Sequence, residues 1–406
     1  MARVDPKAVL EGRVPGRPPV LLITGVLVCS VCALFALGLD AFSGGSGFWA
    51  GLVLAMLPIP LLVGLVLALD RMEPEPPRAL VFSFMWGAGV AVLGALVLNT
   101  LGLLYVTVPI FGEQRGHFVS ATFGAPVIEE TLKGAVLFGL LWWRRTELDG
   151  FSDGVIYAAM VGLGFAMMEN VTYYMRAYED GGAQALQAVF VLRGLIVPFS
   201  HPLFTSMTGL GVAYAATHRR GQVAAPLLGI LGAMLLHGLW NGSTAFGGAG
   251  LAIVYALDLV VLVVLIVIIS VERRSTVRRI ETYLPAYAPT GLVTPQDVRM
   301  LHSIRSRRHA RRWAKMVGGK PAARAMGDYQ HAATELSLLH KRAERGVADP
   351  VWFSTRRDAL LELMAHARRT FLRAPPDRPP APPWAAGGHS GFTHPGARGG
   401  PPPHGY

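Results

Sequence analysis

The chain has 406 residues, of which 52% are hydrophobic and only 16% charged, and its mean hydropathy is +0.41. A water-soluble protein of this size would carry more charged side chains on its surface, so the composition argues against a soluble globular protein. The formal net charge of +11 comes mostly from arginines after Val271. The two parts of the chain are therefore expected to meet two different solvents, lipid and water.

Eight apolar segments are long enough to cross a bilayer, which requires about 20 mostly apolar residues. These spans cover approximately residues 18–39, 47–69, 79–103, 119–143, 155–175, 188–217, 225–245 and 251–270. The sixth is long enough to be tilted or broken. The predicted fold class is an all-α, polytopic membrane protein with about eight transmembrane helices, which form a domain over residues 1–273.

The distribution of lysine and arginine in the short loops sets the orientation, because such residues accumulate on the cytoplasmic side. With the N-terminus inside, the inner segments hold fourteen lysines and arginines, whereas the outer loops hold only Arg115 and Arg176. This asymmetry depends on the number of spans and so supports the count of eight. We expect a multi-pass protein of the plasma membrane with both termini in the cytoplasm.

The region after the last span has a different character. Residues 274–372 are rich in arginine, and Thr294 followed by Pro295 and Asp297 is typical of a helix start. We predict a basic cytosolic helical extension over 274–372 and a disordered Pro/Gly-rich tail over 373–406. The bilayer already holds the extension close to its surface, so its partner is expected to be anionic lipids of the inner leaflet, with no nucleic acid.

Ionisable side chains inside a span are costly, so each one is a candidate for function. They recur in four of the predicted helices, together with neighbouring polar residues. The set is Glu129, Glu130 and Lys133 in the fourth span, Glu169 and Asn170 in the fifth, Arg193, His201 and Thr205 in the sixth, and His237 and Asn241 in the seventh.

The depths of these groups overlap. At about 1.5 Å per helical residue from the outer end of each span, Glu129 lies about 15 Å deep, Glu169 about 9 Å, His201 about 20 Å and His237 about 12 Å. A single cavity between the bilayer centre and its outer face could hold them all. His237 and Asn241 are four residues apart and share one helix face.

Carboxylates and imidazoles in one cavity suit hydrolysis of an amide. A glutamate can take a proton from water, a histidine can shuttle protons, and an Asn or His can donate to the developing oxyanion. Glu129 and Glu130 are turned about 100° apart around the helix, so one of the two is expected to be the base and the pair not to be equivalent. The same residues also fit a zinc-dependent mechanism, with His201, His237 and a glutamate as ligands and a second glutamate as base.

Two further polar residues are expected to have structural roles. Arg193 is expected to pair with a carboxylate, and Thr205 to bond the backbone of its own helix.

Several short motifs, taken in order, resemble the PrsW family of intramembrane proteases, which is related to the type II CAAX prenyl endopeptidases. They are Leu69-Asp70-Arg71-Met72-Glu73-Pro74-Glu75-Pro76, Glu129-Glu130-x-x-Lys133, Phe165-x-x-x-Glu169-Asn170, His201-x-x-x-Thr205 and His237-x-x-Trp240-Asn241. The resemblance covers approximately residues 50–245. It leaves the region after about residue 271 unexplained.

The resemblance implies an intramembrane endopeptidase that cuts a membrane-anchored protein, in characterised relatives an anti-sigma factor. It implies a catalytic site of Glu129, Glu130, Glu169, His201 and His237, with Asn241 assisting. His201, His237 and Glu169 are the candidate metal ligands, and both a zinc ion and a metal-free, glutamate-activated water remain open. Where the prenyl endopeptidases carry a histidine in an FxxxH motif, this chain carries Glu169, which leaves the proton shuttle to His201 or His237.

Two hypotheses from other classes compete with the peptidase. A proton-coupled transporter could use the same intramembrane acids and histidines, with broken helices at its substrate site. The chain shows no internal repeat of the kind that many transporters have, and its polar set is confined to spans four to seven. A catalytically silent scaffold that presents the basic region is the third hypothesis, and the complete Glu129/Glu130/His201/His237 set argues against it.

Overall fold

The computed structural model describes residues 20–69, 75–145, 148–346 and 348–372, and within these ranges it contains helices and no β-strand. The prediction of an all-α protein is therefore confirmed. The predicted disordered tail over 373–406 lies outside the described residues, as does most of the motif between Leu69 and Glu75.

The first half of the fold consists of apolar helices, several of which continue into one another through π-helical turns. The helices are α1 (Val20–Ser43), α2 (Gly45–Met56), α3 (Ile59–Leu69), α4 (Pro77–Trp86), α5 (Val92–Gly102), α6 (Val108–Phe111), α7 (Glu113–Val119) and α8 (Ala125–Trp143). Proline at the start of α4 and α8 suits the first helical turn, where a backbone N–H has no partner within the helix.

The second half continues with longer helices. These are α9 (Phe151–Phe190), α10 (Ser200–Thr217), α11 (Ala224–Ser243), α12 (Gly247–Tyr283), α13 (Pro295–Leu301), α14 (Ile304–Glu344) and α15 (Pro350–Leu372). Helix α9 is the centre of the membrane domain, because it packs against α1, α2, α3, α4, α5, α8, α10 and α12. Its segment 153–166 is buried on all sides, as expected for a helix surrounded by other helices.

Five described helical segments are long and apolar enough to cross a membrane: Val20–Ser43, Gly45–Leu69, Pro77–Phe111, Phe151–Thr217 and Ala224–Thr290. The last two contain 67 residues each and are interrupted, so each holds more than one straight helix. Helix α8, the fourth predicted span, has 19 residues and carries Glu129, Glu130 and Lys133. Its charge sets it apart from the five apolar segments.

Two interruptions coincide with features of the sequence. Gly181 and Gly182 leave helical geometry within α9, and Gly182 has a positive φ of 66°, which glycine adopts readily. Between the π-helical segment Val191–Ile196 and α10, the residues around Pro198 form a break. The predicted sixth span is thus broken three residues before His201, where proline removes a backbone donor.

Glycines allow the central helices to approach each other closely. A Cβ atom at Gly209 of α10 would lie 2.2 Å from the carbonyl oxygen of Gly154 in α9, and a Cβ at Gly154 would meet Gly209 at the same distance. Small residues at helix contacts are typical of membrane proteins, where close backbone packing replaces the hydrophobic driving force. This contact fixes α10, and with it His201, against α9.

The C-terminal helices have a hydrophobic core of their own. Trp313, Met326, Tyr329 and Leu336 of α14 are buried in it, together with Met364 of α15. The core also includes residues from the end of α12, so these helices pack directly onto the C-terminal end of the last apolar helix. The predicted start of α13 is confirmed, because Thr294 accepts the Asp297 N–H and Asp297 accepts the Thr294 N–H.

The close contact between Gly209 and Gly154 predicts that a methyl group added there destabilises the protein, whereas a methyl group added at a glycine in open space does not. We expect Gly209→Ala to destabilise the protein by about 1–3 kcal/mol, because the methyl group would overlap the backbone of α9. Thermal unfolding in detergent, followed by circular dichroism, measures the change.

The matched control is Gly64→Ala in α3, where no atom lies within 4 Å of the added Cβ. This variant is expected to unfold at the wild-type temperature or above it, since alanine favours a helix over glycine by about 1 kcal/mol. Equal effects of the two substitutions would contradict the close packing of α9 and α10.

Candidate active site

Lys133 is the centre of the polar cluster. Its side chain is 0% exposed, and its Nζ lies 2.7 Å from Glu130 Oε1, 3.6 Å from Glu129 Oε2 and 3.0 Å from His201 Nδ1. The ammonium also lies over the ring of Phe165 at 3.9 Å. Since a lysine has donors and no acceptor, it donates to His201 Nδ1, and the ring proton of His201 is on Nε2.

Glu130 has no free oxygen. Oε1 accepts from Lys133 and from His237 Nδ1 at 3.0 Å, and Oε2 accepts from the hydroxyl of Thr205 at 3.0 Å. The side chain is 0% exposed. Glu130 is thus a buried carboxylate that holds side chains from three helices in fixed positions.

The expectation for Thr205 was wrong. Its hydroxyl does not bond the backbone of α10 but donates to Glu130 across the helix interface. Thr205 is fully buried at this interface, and a hydrogen bond to an ionised carboxylate is stronger than one to a carbonyl group.

Glu129 differs from Glu130 in having one oxygen without a hydrogen bond. Oε1 accepts from Asn99 Nδ2 of α5 at 3.2 Å, whereas Oε2 is buried and has no hydrogen-bond partner among the described residues. This oxygen lies 3.8 Å from His237 Nε2. A buried polar atom without a partner is unfavourable by roughly 1–3 kcal/mol, which makes it a position for a ligand, a proton or a water molecule.

His237 faces this oxygen with an unprotonated nitrogen. Because Nδ1 lies against the Glu130 carboxylate, Nδ1 carries the proton and Nε2 carries a lone pair. The ring stacks on Phe204, with centroids 5.2 Å apart and planes at 21°, and lies 5.1 Å from the ring of His201. Glu130 and Phe204 together fix the orientation of the imidazole toward Glu129.

Glu169 is held on the opposite side of His201. Its Oε2 accepts from His201 Nε2 at 2.8 Å and forms an ion pair with Arg193. Arg193 also donates to Asn170 at 2.6 Å and lies over the ring of Tyr173 at 3.9 Å. The predicted pairing of Arg193 with a carboxylate is found in the structure, and Glu169 is the partner.

Three ligand-type side chains converge closely enough for a metal ion. One donor atom from each of Glu129, His201 and His237 lies within 4.8 Å of the others, and all three residues are buried. The candidate set from the sequence contained Glu169, which in the structure is paired with Arg193 and His201. The combination of two imidazoles and a carboxylate is one that zinc commonly takes.

The structure brings five of the six predicted site residues into one cluster and gives the sixth another partner. Asn241 of α11 donates its amide to the backbone carbonyl of Ala121 at 2.9 Å. Sequence reasoning missed Asn99, the direct partner of Glu129. The signal was an amide in an otherwise apolar stretch of α5.

Glu75 makes a structural contact with the central helix. The carboxylate of Glu75, at the start of α4, accepts a hydrogen bond of 2.7 Å from the hydroxyl of Tyr157. Tyr157 is fully buried in α9, so this contact joins α4 to the central helix.

The region that carries the cluster matches a known family. The profile of a family described as "PrsW family intramembrane metalloprotease" matches residues 75–270, which include every residue of the cluster. This region of the chain is similar to the PrsW family.

Curated relatives carry the name Protease PrsW. The protein from Oceanobacillus iheyensis is 30% identical over 152 residues, which are 37% of this chain and 66% of the relative. That from Clostridioides difficile is 28% identical over 188 residues (45% of this chain, 75% of the relative), and that from Geobacillus kaustophilus is 28% identical over 153 residues (37% and 61%). The chain thus spans slightly less than two thirds of the O. iheyensis and G. kaustophilus relatives. No solved structure is significantly similar to it.

The contact between Thr205 and Glu130 predicts the stability of three variants. Thr205→Val keeps the shape but leaves Glu130 Oε2 without a donor, so we expect a loss of about 1–3 kcal/mol in the free energy of unfolding. Thr205→Ser retains the hydroxyl and should recover most of this loss. Denaturant unfolding in detergent measures both.

Thr100→Val is the control, because the Thr100 hydroxyl bonds the Leu96 carbonyl of its own helix and the residue is exposed. We expect it to have little effect. If Thr205→Val is as stable as Thr100→Val, the hydroxyl of Thr205 does not support Glu130.

Proposed function

We propose that this protein is an intramembrane endopeptidase that hydrolyses a peptide bond of a membrane-anchored protein, and that Glu129 provides the base. The observation that carries the proposal is the buried Oε2 atom of Glu129, which has no hydrogen bond among the described residues and faces the lone pair of His237 Nε2 at 3.8 Å. This gap is too long for a direct hydrogen bond. It is the position where the cluster can take a reactant.

Each residue has a distinct part in the reaction. Glu129 accepts a proton from the attacking water and later delivers it to the leaving amine. Glu130 keeps the His237 ring in the tautomer whose Nε2 lone pair points toward Glu129. The Lys133 ammonium provides positive charge near the position where an oxyanion would form, and the His201 ring is held between Lys133 and Glu169.

A metal ion is compatible with the same residues. The Glu129 carboxylate and His237 Nε2, which lie 3.8 Å apart, would be two of the ligands that hold a zinc ion. His201 would be the third ligand once its ring releases Lys133 or Glu169. When bound, zinc would polarise the substrate carbonyl and lower the pKa of water.

The proposed substrate comes from the family resemblance, and the proposed membrane topology comes from the charges of the loops. An anti-sigma factor or a similar membrane-anchored protein is the proposed substrate, and the enzyme is placed in the plasma membrane with eight spans and both termini in the cytoplasm. The basic region after residue 273 would contact anionic lipids of the inner leaflet. The matched relatives are named as proteases, which favours a peptidase over the transporter hypothesis.

Replacement of each glutamate by glutamine is expected to separate catalysis from stability. Glu129→Gln should lower turnover by about 10²–10⁴-fold, the usual share of general acid–base catalysis, with little change in the melting temperature. Glu130→Gln should lower turnover and melting temperature together, since Glu130 binds Lys133, His237 and Thr205. Cleavage of a candidate membrane-anchored substrate and thermal unfolding are measured on the same preparations.

Glu179→Gln, at an exposed position of α9, is the control for a change of charge. Metal analysis of the wild type and of His237→Ala distinguishes the two forms of the mechanism: a metalloenzyme loses its metal in the variant, whereas a metal-free enzyme contains none in either. Wild-type turnover by Glu129→Gln would exclude Glu129 as the base in both forms.

The topology predicts where reporter fusions will face. Fusions at Gly44, Gly116, Gly182 and Gly248 should report the outside of the membrane, and fusions at Glu75, Leu148 and Gly221 the cytoplasm. The physical reason is the excess of arginine in the inner loops. Two neighbouring loops that report the same side would show that the span count is wrong.

A further inference from the structure

The C-terminal helices and the membrane domain enclose a cleft lined by basic side chains. Its walls are formed by Asp149 and Thr217 of the membrane domain and by Arg279, Leu338, Lys341, Arg342 and Arg345. Thr217 is the last residue of α10, and Asp149 lies in the loop between α8 and α9. The cleft is thus at the inner ends of the transmembrane helices.

Two of the basic side chains in this cleft are neutralised. Arg342 forms an ion pair with Asp149 and donates to the Leu148 carbonyl at 3.0 Å. Lys341 pairs with Glu344 at 2.5 Å. The acids that line or border the cleft at these points therefore already have cationic partners.

The remaining nearby acid, Glu272, is also engaged. Its carboxylate accepts from the backbone N–H groups of Phe151 and Ser152, at 2.9 and 2.6 Å, and from the Ser152 hydroxyl at 2.9 Å. It thereby caps the start of α9. Glu272 can offset basic charge in the cleft only in part.

Arg279 and Arg345 have no such partner. Among the described residues, neither side chain forms a hydrogen bond or an ion pair, and Arg279 Nε is buried without a hydrogen-bond partner. Arg219, which follows α10, adds a third guanidinium, because a Cβ at Gly346 would lie 3.2 Å from its Cζ. Three arginines thus lie close together. Asp149 attracts Arg279, and Glu272 and Glu344 attract Arg345. Within the part of the chain that the structure describes, none of these acids forms an ion pair with either arginine, so the cleft keeps an excess of positive charge.

Burial and neighbouring positive charges lower the pKa values of arginines in and beside the cleft. The pKa of Arg345 is lowered by desolvation and then by the positive charge of Arg279. The pKa of Arg145, at the inner end of α8, is lowered by burial and by Arg342. Like charges held this close are unfavourable unless an anion joins them.

We propose that Arg279, Arg345 and Arg219 form a binding site for a phosphate group, at which an anionic ligand ties the C-terminal helices to the membrane domain. The planar guanidinium group matches phosphate, to which it can donate two parallel hydrogen bonds. Arg279 lines the cleft, and its buried Nε–H, which has no hydrogen-bond partner among the described residues, supplies one donor. The site is distinct from the candidate active site and from a general attraction of basic residues to a charged membrane.

The phosphate can come from two sources with the same chemistry. Because the cleft lies at the inner ends of the spans, the headgroup of an anionic phospholipid can reach it from the membrane, and basic pockets at this level bind such headgroups. A free phosphate ion can reach it from the aqueous side. Both would be held by the same arginines, so the experiment needs one probe for each.

The test uses the full chain and a double variant, Arg279→Gln with Arg345→Gln. In detergent, calorimetric titration with inorganic phosphate at constant ionic strength measures the dissociation constant. In nanodiscs, the melting temperature is compared between phosphatidylcholine alone and phosphatidylcholine with phosphatidylglycerol. We expect the wild type to respond to at least one probe, and the double variant to bind at least about tenfold more weakly, since each arginine supplies a charge-assisted hydrogen bond.

The control is Arg308→Gln with Arg312→Gln, which removes the same charge from exposed positions of α14. It should keep the wild-type response. In the absence of phosphate, the double variant should melt at or above the wild-type temperature because it relieves repulsion, whereas arginines with a purely structural role would lower it.

The results also identify the source. A response to phosphatidylglycerol alone assigns the site to a lipid headgroup, and a response to both probes assigns it to phosphate in general. The proposal is overturned if the wild type responds to neither probe, or if the double variant and the control pair respond equally.

Discussion

The buried ammonium group of Lys133 is the interaction on which the site depends. Two adjacent glutamates in one apolar helix would both be charged only at a large cost in desolvation. Lys133 lies one turn further along α8, contacts both carboxylates and reaches His201 on α10. Phe165 of α9 covers the ammonium, so the cation is held away from lipid while its charge remains within the cluster.

The difference between the two glutamates follows from their positions around α8. An offset of about 100° turns Glu130 toward α10 and α11, which supply the Thr205 hydroxyl and the His237 imidazole. It turns Glu129 toward α5, which supplies only the amide of Asn99. Both oxygens of Glu130 therefore accept hydrogen bonds, which fix its position, whereas Glu129 Oε2 has no hydrogen bond in the part of the chain that the structure describes and is free to react.

The sequence predicted which residues would gather but not how they would pair. Buried acids and histidines are rare in apolar helices, so Glu129, Glu130, Glu169, His201 and His237 could be selected from the sequence. Spacing along a helix defines a face, whereas pairing depends on how each helix is rotated against its neighbours. The Thr205 contact could not be predicted for this reason, and the neutral Asn99 gave no charge signal.

One further buried acid was not among the predicted site residues. Asp258 of α12 is 6% exposed, and its Oδ1 atom has no hydrogen-bond partner among the described residues. Asp258 stands alone in its span, whereas the acids and histidines of spans four to seven recur together. The helix breaks were easier to anticipate, since Pro198 and the Gly181–Gly182 pair leave local signals.

The loop between α8 and α9 connects the candidate active site to the rest of the chain. This loop joins helix α8, which carries Glu129, to helix α9, which carries Glu169. The two side chains that hold the loop in place lie outside the polar cluster. Glu272 of α12 caps the start of α9, and Arg342 of α14 binds Asp149 within the loop. A displacement of the C-terminal helices would therefore act first on the relative position of α8 and α9. Lys133 of α8 lies over the ring of Phe165 of α9 at 3.9 Å, so the polar cluster itself depends on how these two helices are placed against each other.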